Sequence, residues 1–280
     1  MNAEVAEKLV RFQQPEKVLP YLNGLDEARV AGVFGLDPAE YHALCDEFTE
    51  RARNAALEML TDPDLAAQVD QLPFTPGQHV LVVGESIAAD RQSWFEILRQ
   101  LLAIRRPEDA ITLTNLAVSG CTTTQALTTV ASLGFHRPDW VLCQLGTNDA
   151  QRLGGAEYPR LVSAAESARN LLLLRERGLE LTSARWVWLT PVAVDETRAA
   201  AFLHFRRAGI SWATADVEDT ARLLAGQPEP TVDVLSITAP TPGGTMHLDD
   251  GVHLTIDGQR AVAAAVVAAL AIPTAQVCGG

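Results

Sequence analysis

The sequence predicts an α/β protein: a five-stranded parallel sheet with helices on both faces, in three layers, preceded by a helical extension. Two observations carry this. After residue 76, short and largely apolar runs alternate with helix-length segments, and strands apolar along their whole length are those buried on both faces of a parallel sheet. Before it, Leu72-Pro73-Phe74-Thr75-Pro76-Gly77 brings two prolines and a glycine together, a breaker cluster that closes a stretch reading only as helix. The expected organisation is therefore a helical extension over 1–72 and a main domain over 73–280.

Within the extension, Asp37-Pro38-Ala39-Glu40 carries a helix start. Asp37 is the N-cap, Pro38 takes N1, where its missing N–H costs nothing, and Glu40 at N3 completes a capping box. Leu44, Phe48, Ala55 and Met59 then recur on one helical face. Asp62-Pro63 is a second start. In the main domain the strand candidates are His79–Val83, Ile111–Asn115, Trp140–Leu145, Trp186–Thr190 and Val232–Ile237. Helix-like segments lie at Asp90–Ile104, Thr124–Ser132, Glu157–Arg177, Asp195–Arg207, Ala213–Ala225 and, alanine-rich, Ile256–Leu270.

Composition removes several function classes. The net charge of the 280 residues is −13 and the only lysines are Lys8 and Lys17, a surface that repels nucleic acid and anionic membranes. The cysteines Cys45, Cys121, Cys143 and Cys278 are scattered without CxxC pairing, which argues against a zinc site or a disulfide framework. No apolar run approaches the roughly 18–20 residues of a membrane span. Met1 is followed by acidic, helix-like sequence rather than a basic and then apolar leader, so the cytoplasm is the expected location.

Four short segments carry the chemistry. Ser86 follows the first strand and precedes a helix, at the sheet edge where α/β proteins build sites. Asn115-Leu116-Ala117-Val118-Ser119-Gly120 runs on from the second strand, and Gly120 can offer a backbone N–H to close approach. Gly146-Thr147-Asn148-Asp149 follows the third, and an Asn amide there can donate to an oxyanion. Asp250-Gly251-Val252-His253 precedes the last helix, and a spacing of three lets the carboxylate orient the imidazole. Alone, Ser86 reads better as a cap or loop residue and Gly120 as a loop glycine, and the other two segments have plain turns as rivals. Together they supply a nucleophile, a base with its orienting acid, and oxyanion donors.

These blocks resemble the SGNH (GDSL-type) hydrolase family, named for Ser, Gly, Asn and His in separate blocks; the matches are Ser86, Gly120, Asn148 and His253, over roughly Val80 to Leu270. The resemblance implies a flavodoxin-like sheet with Ser86 as nucleophile and Asp250 and His253 completing a triad. It also implies an oxyanion hole from the N–H of Ser86, the N–H of Gly120 and the Asn148 amide. The family's Gly-Asp-Ser-Leu reads Gly84-Glu85-Ser86-Ile87 here, so the carboxylate is one methylene longer. Ala88-Ala89-Asp90 also lacks a glycine often found after that block. An α/β-hydrolase nucleophile elbow fits less well, because only one core strand precedes Ser86 and the acid and base sit three apart. His247 lacks an acid at that spacing. Cys121 reads as a small packed side chain rather than a reactive thiol.

The expected activity is a serine esterase working through an acyl-Ser86 intermediate on a small-molecule or carrier-linked acyl ester or thioester, with no cofactor and no metal. The alternatives are acyl transfer through the same triad, or a non-catalytic binding protein on this fold. Phe202, Phe205 and Trp212 are candidates to line the substrate pocket, with packing onto the sheet as the rival reading. The N-terminal helices carry no catalytic constellation; packing is the preferred reading, with dimerisation or partner binding as alternatives.

Overall fold

The computed structural model describes residues 3–19, 24–155, 157–244 and 246–271; Cys278 and the end of the main domain lie outside them. The N-terminal helices are α1 (Ala3–Phe12), α2 (Pro15–Val18), α3 (Glu27–Val33), α4 (Pro38–Met59) and α5 (Pro63–Asp70). The cap of α4 forms as its sequence predicts. The Glu40 N–H donates to Asp37 Oδ1 at 2.9 Å, and the Asp37 N–H donates to Glu40 Oε2 at 3.1 Å.

The strands follow as β1 (His79–Gly84), β2 (Thr112–Asn115), β3 (Trp140–Gln144), β4 (Arg152–Leu153), β5 (Arg185–Leu189), β6 (Ile210–Ser211) and β7 (Thr231–Val232). Five form one parallel sheet in the order β2-β1-β3-β5-β7, while β4 and β6 pair antiparallel outside it. This is the doubly wound order whose crevice opens between β1 and β3, at the carboxyl ends of the strands. The remaining helices are α6 (Ser86–Ala89), α7 (Trp94–Arg105), α8 (Thr123–Thr129), α9 (Ala131–His136), α10 (Ala164–Leu181), α11 (Glu196–Ala201), α12 (Leu203–Ala208), α13 (Thr214–Ala225), α14 (Val234–Ile237) and α15 (Ile256–Ala271).

Alternation along the strands divides the core. Val80, Val82, Leu142, Val187 and Leu189 face a cluster shared with α4, α5, α7 and α15. Leu81, Val141, Cys143, Trp186 and Trp188 face the other layer, with residues of α8, α9, α10 and α13. The second half of α4 and all of α5 thus share the main core, through Ala52, Ala56, Met59 and Val69. Farther out, α1, α3 and the start of α4 close a smaller cluster around Val10, Phe34, Tyr41 and Phe48.

Several elements differ from expectation: the helix expected from Asp90 starts at Trp94, and the one expected over Thr124–Ser132 is divided at Val130. Of the run Val232–Ile237 only Val232 pairs as strand, together with Thr231 before it. Asp233 then accepts from the Ser236 N–H at 3.1 Å and caps a helical turn, so a local cap ends the apolar run as strand. The helix expected from Glu157 starts at Ala164. The N–H groups of Leu161 and Val162 donate to Gln151 and Asp149 carbonyls, and Ser163 takes the cap with the Glu166 N–H at 3.2 Å. The helix expected over Asp195–Arg207 is broken at Phe202, whose extended backbone separates α11 from α12.

Candidate active site

Ser86 opens α6 directly after β1, and Glu85 is the N-cap residue, its carbonyl accepting from Ala88 and Ala89. The Asp90 N–H closes the turn onto the Ser86 carbonyl at 2.9 Å. This short helix aims the hydroxyl at the β1–β3 crevice, and only 6% of the residue is exposed.

His253 reaches it from the loop before α15. His253 Nε2 lies 3.0 Å from Ser86 Oγ, and its Nδ1 lies 2.9 Å from Asp250 Oδ2. The other carboxylate oxygen, Asp250 Oδ1, accepts from the backbone N–H of Val252 at 3.0 Å and of His253 at 2.9 Å. Burial alone would raise the Asp250 pKa. The bonds from the His253 ring and from both backbone N–H groups outweigh it and hold the carboxyl well below the usual range. The turn needs Gly251: its φ is +70°, and a Cβ there would sit 2.5 Å from the Asp195 carbonyl oxygen and 2.8 Å from the Ala199 nitrogen.

The donor side is built from the ends of β2 and β3. Gly120 adopts φ +79° with open space where a Cβ would stand. Among the described residues, the N–H groups of Ser86 and Gly120 donate to no backbone carbonyl. The Asn148 amide donates to Glu85 Oε2 at 2.9 Å and to the Cys121 carbonyl at 3.1 Å, which ties the end of β3 to the residue after Gly120. Glu85 also accepts from the N–H of Thr147 at 3.1 Å and of Asn148 at 3.2 Å. The longer side chain thus spans the crevice beneath Ser86 and fixes the Asn148 amide. Asp149 does the same for α8, accepting from the Thr123 N–H at 2.9 Å and from the hydroxyls of Thr123 and Ser167.

Burial pushes the Glu85 carboxyl up to about 7, against the bonds from Thr147 and Asn148 that favour its anion. The folded protein therefore holds this proton where an unfolded chain has released it. Stability from Glu85 is full below pH 4.5 and falls by about 3 kcal/mol as pH rises through 7. Urea melts at pH 5 and pH 8 are expected to show this loss in the parent protein and not in Glu85→Gln, so an equal loss in both refutes it.

The aromatic candidates divide. Phe205 and Trp212 pack with Ala150, Val194, Val217 and Val252, and the Trp212 indole donates to the Thr147 carbonyl at 2.9 Å. They support the loops carrying Asn148 and His253 from behind. Phe202 is half-buried next to them, with the Lys8 ammonium 4.9 Å from its ring centre. His247 is turned away, its Nε2 2.8 Å from the Ala193 carbonyl. Cys121 Sγ contacts the Thr122 carbonyl and burial pushes its thiol up to about 12, leaving little thiolate.

The N-terminal helices reach the site, which sequence reading does not anticipate. The Phe12 ring lies 4.6 Å from the His253 ring, centre to centre. Lys8 Nζ donates to Asp250 Oδ2 at 3.4 Å. Arg11 makes two bonds to Asp90, at 2.9 and 2.6 Å, and a third to the Leu254 carbonyl at 3.1 Å. Gln14 donates to the Ala89 carbonyl. No local pattern marks these residues, because each partner lies at least 75 positions away.

Among the described residues, no group of three His, Cys, Asp or Glu side chains could hold a metal ion, and no helix is long and apolar enough to cross a membrane. The sequence model of the GDSL-like Lipase/Acylhydrolase family matches residues 82–261, from β1 into α15. The chain belongs to this family. No curated protein matches it.

Solved structures share the fold of this GDSL-like hydrolase. A lipase/acylhydrolase from Enterococcus faecalis is 19% identical with a TM-score of 0.55, over 69% of this chain and 95% of that one. A variant acetyl xylan esterase from Geobacillus stearothermophilus is 18% identical with a TM-score of 0.55, over 70% and 96%. An α/β hydrolase from the metagenome of Lake Arreo, Spain, is 20% identical with a TM-score of 0.53, over 70% and 96%. The GDSL-like segment begins inside β1, so α1 to α5 precede it.

Proposed function

We propose that the chain is a serine esterase that opens a carboxylic ester or thioester through an acyl-Ser86 intermediate. The observation that carries this is the continuous chain of contacts Ser86 Oγ to His253 Nε2 to His253 Nδ1 to Asp250. Ser86 Oγ attacks the acyl carbon while His253 takes its proton, and Asp250 holds the ring and stabilises the imidazolium. The negative charge on the carbonyl oxygen is met by the N–H groups of Ser86 and Gly120 and by Asn148, whose amide shares its Cys121 hydrogen with the oxyanion. His253 returns the proton to the leaving alcohol or thiol. Water then attacks the acyl-enzyme with His253 again as base, which releases the acid and restores Ser86.

A fluorophosphonate probe tests this. The expected result is labelling of the parent protein, none in Ser86→Ala, and strongly slowed labelling in His253→Ala. Labelling that survives Ser86→Ala, or a parent protein that does not label, overturns the reading.

A further inference from the structure

We propose that the groove between the N-terminal segment and helices α8 and α9 holds the acyl chain of the ester, an unbranched aliphatic chain; this rests on the esterase reading above. The groove measures about 800 Å³, within the range of small-molecule sites. Gln13, Lys17 and Val18 form one wall, and Thr128, Ser132 and Phe135 belong to the other.

Continuity with the site argues for a substrate chain as the occupant. Ser119 and Cys121 line the groove and flank Gly120. An acyl carbonyl held at the Gly120 N–H therefore has the groove beside it. Hydroxyl and amide side chains share the lining with two exposed apolar ones, and the latter argue for methylenes. Phe135 is 87% exposed and Val18 is 56% exposed, large apolar side chains whose covering by a chain removes apolar surface from water. Among the described residues, no carboxylate lines the groove. Lys17 turns its amine away to donate to the Ala117 carbonyl at 3.5 Å.

The test is a series of p-nitrophenyl esters, acetate to decanoate, hydrolysed by the full-length protein. In the parent, kcat/KM is expected to climb roughly fourfold per methylene until the groove is filled. Thr128→Trp and Ser132→Trp fill the groove and are each expected to lower the decanoate-to-acetate ratio roughly tenfold or more. Leu172→Trp, on the exposed side of α10, keeps the parent ratio. A flat parent profile overturns the groove assignment, as does a climb that neither tryptophan alters. In those cases Ser86-dependent acetate hydrolysis still upholds the esterase reading. Absence of any Ser86-dependent hydrolysis in the parent overturns both.

Discussion

Asp250→Asn is expected to lower ester turnover on the order of 10⁴-fold with the protein still folded. The reason lies in how the two carboxylate oxygens are used. Oδ1 accepts two backbone N–H groups and Oδ2 accepts from His253 Nδ1. An asparagine can keep its oxygen on the backbone pair, which preserves the turn. Its NH₂ then faces His253 Nδ1 and requires that nitrogen to accept. The ring shifts to the other tautomer, so Nε2 carries a hydrogen toward Ser86 and has no lone pair to receive the serine proton. Kinetics on p-nitrophenyl acetate, with circular dichroism to confirm folding, check it. A loss under about tenfold would show that Asp250 does not set the tautomer.

Arg11→Ala is expected to destabilise the protein by about 3–5 kcal/mol. Arg11 and Asp90 are both buried, and the substitution leaves a carboxylate out of water with only the Gln92 N–H at 3.0 Å and the Gln259 amide at 3.3 Å. It also frees the Leu254 carbonyl, next to His253. Removing both charges in Arg11→Met with Asp90→Leu avoids the unpaired ion and is expected to recover most of the loss. Urea unfolding measures both. A midpoint unchanged in Arg11→Ala would mean that the buried Arg11–Asp90 pair contributes little to the folded state.

Much of this architecture was legible from residues 73 onward, for a physical reason. Strands such as Leu81–Val83 and Val141–Cys143 are buried on both faces, so nothing polar interrupts them and their type follows from composition alone. The candidate site residues could be singled out because Ser86, Gly120 and Asn148 each come after a sheet strand, on the edge where α/β folds gather polar groups. What escaped were decisions made by single hydrogen bonds. Asp233 and Ser163 act as caps, yet the apolar run after one and the helix-forming residues before the other outweigh a single polar side chain in any local reading. Glu85 was visibly longer than the family's aspartate. That the extra methylene carries its carboxylate to Asn148 depends on the spacing of β1 and β3, which no window of sequence contains. The contacts of Lys8, Arg11 and Phe12 are of the same kind, since an amphipathic helix shows that it has a buried face but not what covers it.

The contacts that complete the site also set the order in which it can come into being. Lys8 and Asp250 are separated by 242 positions, and Ser86 and His253 by 167. A polypeptide emerging from the ribosome through β5 already carries Ser86, Gly120 and Asn148, but not His253. Closing such long loops is entropically costly and comes late in folding. Under the esterase proposal, the protein stays without its general base for almost all of its synthesis. The proposed triad is completed only when the C-terminal loop settles against α1 and Ser86.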